Sequence, residues 1–206
     1  ANFQKSPKHL WPGPIGAHNW QAMAYSPKQK LVYIPEMQHG ATYIKSEMPN
    51  LRENFLNLSI ITTYDQIDPN DGKGSIVAMD PVTLKPKWKV QHDSFWNGGI
   101  LATEGDLVFQ GTADGEFAAY SAIDGTKLWF IDVQRGVTSA PIRYMVDGVQ
   151  RIIIPVGYAG GYAAFGIKAT HAGWKYKAPG IRLLSFSLEG ENELQRVETG
   201  RYQLDL

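Results

Sequence analysis

Hydrophobic positions along the chain fall in short runs broken by polar turns, and the runs are rich in β-branched and aromatic residues, the pattern of strands. Asn19–Tyr25 and Leu31–Ile34 are two such runs joined by the polar turn Ser26–Lys30, which predicts a hairpin. Regularity then stops. From Glu36 to Lys73 the sequence is mixed, with Met48-Pro49-Asn50 and Asp68–Gly72 as breakers and Leu58–Tyr64 as a single strand candidate. An insertion of this length is expected to lie over a face of the scaffold as a lid or an interface. Ahead of the hairpin, residues 1–15 carry Pro7, Pro12 and Pro14 without periodicity and read as an extended leader.

From Gly74 the chain repeats itself. Gly74–Asp80 aligns with Gly115–Ser121, Ala78 with Ala119 and Trp88 with Trp129, always at an offset of 41 residues. Each copy reads as a strand, a turn, a strand beginning near the tryptophan, and a further hairpin. The first of these hairpins is Ser94–Gly111, turning at Glu104-Gly105-Asp106; the second is Ala140–Val156, turning at Val146-Asp147-Gly148. Four short strands in such a period match a β-propeller blade, whose repeats take about 40 to 50 residues. A third partial copy starts at Gly161–Gly166, and Arg182–Leu188 supplies another strand. The fold expected is therefore all-β: a partial propeller over residues 16–188, with two complete and two partial four-stranded blades. The polar tail 189–206 is expected to be a linker or disordered. Two full blades and two parts cannot close a ring, so the expectation is a part of a larger protein or one of several chains that assemble.

Composition narrows the function. The 206 residues hold 20 basic and 20 acidic side chains, which leaves no electrostatic footprint for nucleic acid. The absence of cysteine excludes disulfides, thiolate metal sites, a cysteine nucleophile and attachment of a c-type haem within this sequence. No apolar run approaches the roughly 20 residues of a membrane span. His18, His39 and His92 match no metal-ligand spacing and read as surface or turn histidines. Asp68–Asp71 lacks the spaced acids and distal glutamate of a calcium loop and reads as a solvated turn.

The candidate for chemistry is the corner Phe95-Trp96-Asn97-Gly98-Gly99, where a large flat side chain lies beside backbone open to close approach, as a planar ligand requires. Blade symmetry would place Asn19, Asn97 and Thr138 around one end of the axis. Trp88 and Trp129, recurring at one blade position, read as packing between blades.

Ala78–Thr83 leading to Trp88 resembles the tryptophan-docking motif of the quinoprotein alcohol dehydrogenases, which use pyrroloquinoline quinone (PQQ). Gly16–Pro27, Phe95–Gly99 and Leu107–Gly115 extend the likeness from about Gly13 to Gly190. The resemblance is to the C-terminal part of the catalytic subunit, and it implies an eight-bladed parent propeller with the quinone near its axis. A calcium or lanthanide ion lies beside the quinone in that family, and an aspartate takes the alcohol proton as hydride passes to a quinone carbon. It further implies a periplasmic protein, an alcohol substrate, a cytochrome c type electron acceptor and the missing N-terminal half of the propeller.

Quinone contacts carried over from the family fall on Asn19, on Trp96 and Asn97, and on the loop Gly157-Tyr158-Ala159-Gly160. Many relatives carry Gly-Trp-Gly-Gly at that loop, so Tyr158 and Ala159 depart from the pattern. The metal ligands, the catalytic aspartate, the tryptophan under the quinone and the adjacent-cysteine disulfide all belong to the part of the family sequence ahead of this one. No catalytic or metal-binding residue is therefore assigned here. The competing reading, from the same absences, is a non-catalytic propeller fragment that acts as a binding or assembly module and self-associates over its open edges.

Overall fold

The structure, a computed structural model, describes residues 5–45, 60–64, 67–157 and 181–196. The chain runs through β1 (Lys8–Leu10), β2 (Ala24–Ser26), β3 (Leu31–Gln38), β4 (Ala41–Lys45) and β5 (Ile60–Thr63). β6 (Lys73–Met79), β7 (Pro86–His92), β8 (Ile100–Ala102) and β9 (Leu107–Gly111) follow. β10 (Glu116–Ser121), β11 (Lys127–Asp132), β12 (Ile142–Val146), β13 (Val149–Val156) and β14 (Arg182–Phe186) complete the described strands. All pairings are antiparallel, and no helix occurs among the described residues.

Two sheets have four strands, ordered β2-β3-β6-β7 and β8-β9-β10-β11, and a third has β12-β13-β14. The repeat read from the sequence has the right period but begins at the third strand of a sheet. The physical reason lies in the links. β9 and β10 are joined by a tight turn in which Gly115 N–H donates to Thr112 O at 3.1 Å and Gly115 adopts φ +98°, open to glycine at no steric cost. The passage from β7 to β8 is instead the longer corner Asp93–Gly99, which carries the chain from the outer strand of one sheet to the inner strand of the next. A sequence period fixes spacing, not which link crosses between sheets.

The third place in the third sheet is taken by β14, paired to β13 with Ile153 opposite Ser185. The copy expected from Gly161 to Gly166 lies outside the described residues. The fourth sheet, β1-β4-β5, is built from the leader and the insertion: Lys8 faces Tyr43, and Tyr43 faces Thr62.

The core sits between sheets, as the alternation of strands requires. Val108, Ala118 and Tyr120 of the second sheet meet Leu31, Tyr33, Ile76 and Ala78 of the first. Phe109, Phe117 and Ala119 point the other way, onto Ile152, Ile154 and Val156 of the third. Burial of each large side chain contributes about 1.5–3 kcal/mol. The tryptophans dock forward onto the next sheet: Trp88 Nε1–H donates to Ala122 O at 3.2 Å, and its ring lies where a Cβ on Gly125 would come within 2.8 Å. Trp129 meets Phe186 edge-on, with centroids 5.7 Å apart. At the hairpin tips, Asp106 of the second sheet accepts from Lys28 Nζ and, at 2.8 Å, from Gln29 Nε2 of the first.

Candidate functional site

The corner after β7 is held by its own side chains. Ser94 Oγ donates to Asn97 Oδ1 at 2.5 Å, and Asn97 Nδ2 donates back to Ser94 O at 2.8 Å. Ala113 N–H, in the turn after β9, also donates to Asn97 Oδ1 at 3.1 Å. Asn97 is buried and its amide is engaged on the protein side, closing the corner and fastening it to the neighbouring turn.

Gly98 and Gly99 are small because successive sheets meet there. A Cβ on Gly98 would collide with the Ser139 carbonyl, and one on Gly99 would come within 2.8 Å of both Ala140 Cβ and Ala22 N. Their missing side chains make room for adjacent blades. The Ala22–Gly99–Ala140 contact brings the entries of β2, β8 and β12 together at one end of the three sheets.

Strand register aligns those entries in detail. Ala24 lies opposite Tyr33 and Leu101 opposite Phe109, while Tyr33 and Phe109 lie opposite the repeat-related Ala78 and Ala119. Trp20 is therefore the counterpart of Asn97, and Asn19 that of Trp96. The proposed equivalence of Asn19 with Asn97 is one residue out of step, because no 41-residue offset spans the insertion between β3 and β6.

Trp96 is only 7% exposed and packs with Phe95 and Met37, flanked by Ile15 and Tyr64. Trp20 crosses it edge-on, with centroids 6.2 Å apart and planes at 60°, and is 59% exposed. Asn19 turns the chain into that position: its Nδ2 donates to Ile15 O at 3.0 Å and its Oδ1 accepts from Trp20 N–H at 2.9 Å. Asn19 and Trp96 are thus brought together through Trp20, which sequence reasoning passed over; its signal was a tryptophan directly after the candidate amide. Gly157, at the end of β13, donates its N–H to Gly136 O at 2.9 Å with φ +145°. Tyr158, Ala159 and Gly160 lie outside the described residues.

The histidines differ from a surface reading. His92 is buried and shares a 2.9 Å hydrogen bond between its Nε2 and Gln110 Oε1; burial lowers its pKa, with the Gln110 contact opposing. His39 is buried edge-on between Tyr64 and Phe95. His18, half-buried, donates from Nδ1 to Pro35 O at 2.8 Å, since a carbonyl only accepts. Asp71 is also buried, contrary to a solvated turn. Burial raises its pKa, but donors from Asp68 N–H, the Trp11 indole and Ile67 N–H outweigh that and hold it low.

Beside the corner, a cleft of about 410 Å³ lies between the segment ahead of β2 and the end of β3, with Asp68 at its side; it is lined by Trp11, Ala17, Glu36, Met37, His39 and Asp68 among others. Met37 belongs both to this cleft and to the packing under Trp96. Among the described residues, no cluster of three or more His, Asp or Glu is arranged to hold a metal ion. No helix among them is long and apolar enough to cross a membrane.

Sheets stacked face to face, docked by a repeated tryptophan and meeting at a glycine-lined end, define a segment of a tryptophan-docked β-propeller. Residues 70–152 match the PQQ family model, described as the β-propeller domain of glucose, ethanol and alcohol dehydrogenases. The dehydrogenase subunit of a quinone alcohol dehydrogenase from Acetobacter aceti is 40% identical over 89% of this chain, and quinohemoprotein alcohol dehydrogenase ADH IIB of Pseudomonas putida is 36% identical over 93%. The solved structure of quinohemoprotein alcohol dehydrogenase ADHIIG from Pseudomonas putida HK5 superimposes with a TM-score of 0.81 at 33% identity, covering 96% of this chain and 30% of that one. The chain belongs to the PQQ-dependent alcohol dehydrogenase family. It spans about a quarter of the length of the curated relatives, 26% and 28% of the two named.

Proposed function

We propose that this chain is the C-terminal portion of a PQQ-dependent alcohol dehydrogenase and supplies part of the wall of its quinone site. The observation that carries this reading is the pairing of Trp20 with Trp96 at the end where three sheets converge, with Asn19 beside them. The fit to a planar quinone is good in two respects. Trp20 offers a broad exposed aromatic surface, and the Asn19 carboxamide keeps one amide hydrogen and one oxygen lone pair beyond its two hydrogen bonds.

Within the assembled site, Trp96 would fix Trp20, Trp20 would exclude water beside the bound quinone, and the free amide hydrogen of Asn19 would be available to donate to it. Asn97, with Gly98 and Gly99, holds the corner in place. When bound, the quinone supplies the hydride acceptor for oxidation of an alcohol to an aldehyde. The proton-accepting aspartate and the ligands of the accompanying calcium or lanthanide ion are assigned to the chain outside these residues. The cleft lined by Trp11 and Met37 suits the approach of the alcohol. The names of the quinohemoprotein relatives support a cytochrome as electron acceptor, and a periplasmic location completes the reading.

A dye-linked oxidation assay on the complete gene product, with PQQ and calcium added, tests this proposal. Alcohol-dependent dye reduction that requires the quinone is expected. If the complete product neither retains the quinone nor oxidises any alcohol, the reading fails.

A further inference from the structure

Gln110 is the one polar side chain among the fully buried residues of β9, and it is spent on the corner. Its Nε2 donates to Gly98 O at 2.8 Å, while its Oε1 faces His92 Nε2 at 2.9 Å. The orientation of this chain of bonds is fixed by chemistry. The Gly98 carbonyl only accepts, so the NH2 end of Gln110 must face it; the oxygen end then faces His92, and His92 must carry its proton on Nε2. The far side of Gly98 is tied as well, its N–H donating to Gly111 O at 2.9 Å. His92 closes β7 and Ile100 opens β8 opposite Gln110, so the whole corner between two sheets is bolted to one strand.

We propose that Gln110 and His92 are positioning residues for the quinone: their hydrogen-bond relay sets the Trp96–Gly98 backbone and, through Trp96, the pose of Trp20. The inference rests on the quinone-wall reading above. It differs from a purely structural role in predicting that cofactor affinity follows the polarity of the relay.

The test is the quinone dissociation constant of the complete gene product, followed by tryptophan fluorescence, for wild type, Gln110→Glu, Gln110→Leu, His92→Gln and His92→Leu. An ionised glutamate at 110 has no proton for the Gly98 carbonyl, whereas the protonated acid has one. The titratable group facing it is His92 from β7, and the charged and titratable groups around His92 in turn are Tyr120 and Glu116 from β10, Asp114 from the preceding turn and Lys127 from β11. Burial favours the protonated acid, so donation is present at low pH and is lost as pH rises.

The dissociation constant of Gln110→Glu, taken as a ratio to wild type, should rise about tenfold between pH 5 and pH 8, whereas Gln110→Leu should be weak at both. His92→Gln, which can still donate, should bind more tightly than His92→Leu even where the two share a melting temperature. Should Gln110→Glu fail to fold, the leucine and His92 variants decide. A pH-independent ratio, a Gln110→Leu protein that binds like wild type, or equal affinities for the two His92 variants would overturn the inference alone. A wild-type protein that binds no quinone overturns this inference and the proposed function together.

Discussion

Trp20 and Trp96 touch, yet their exposures of 59% and 7% assign them different tasks. The exposed ring is available to a ligand and the buried one supports it. Replacing Trp20 with alanine should weaken quinone binding about tenfold, or ~1.4 kcal/mol, while the melting temperature moves little, because the ring is largely outside the core. Equilibrium dialysis alongside thermal melting checks both halves of that statement. His92 carries a pH consequence. Its pKa in the folded protein is lowered from 6.5 by burial, so the unfolded state binds more protons just below 6.5. The stability it contributes is complete above pH 6.5 and declines as pH falls through that value. The melting temperature of wild type should therefore fall between pH 7 and pH 5 by more than that of His92→Gln, and parallel pH profiles would contradict the assignment. At this scale the place of Trp96 at the corner was legible because an aromatic beside glycines is conspicuous, but its burial and the direction of the Asn97 amide were not. That direction depends on Ser94 and Ala113 arriving at the same oxygen, and Ala113 comes from a different turn.

Among the elements, the 41-residue spacing of Trp88 and Trp129 pointed to packing between blades, and both rings do reach the next sheet. The two contacts are unequal. Trp88 is half-buried, donates to Ala122 O and covers Gly125, whereas Trp129 is 40% exposed and meets Phe186 edge-on. Trp88→Ala should cost about 3 kcal/mol and Trp129→Ala about half as much, read as the difference in thermal midpoints; equal losses would show that the indole hydrogen bond and the Gly125 contact contribute nothing. The phase of the blades was not legible. Strand-like runs are alike whichever neighbour they pair with, and only the tight turn at Thr112–Gly115 against the longer corner Asp93–Gly99 decides that β9 pairs with β10. The three-stranded sheet β1-β4-β5 was also hidden, since its strands come from a leader and an insertion without period.

For the whole molecule, three sheets in sequence leave two outer faces. The inner strand of the first sheet carries exposed Tyr25, with exposed Met23 just ahead of it, and the third sheet exposes Ile142, Met145 and Leu183. Exposed apolar faces of that kind suit packing against further protein surface, and the chain spans 26% of one curated relative and 28% of another. The propeller architecture was readable from period and tryptophan spacing, because repetition survives in sequence. The one-residue offset between Asn19 and Asn97 was not, because it is set by strand register across the insertion. Whether this segment forms part of a quinone-binding wall is decided by equilibrium dialysis of the complete gene product against PQQ in the presence of calcium, with retained quinone read by absorbance. Saturable, equimolar retention that weakens in the Trp20→Ala protein is the predicted result; retention no greater than in protein-free buffer would contradict it.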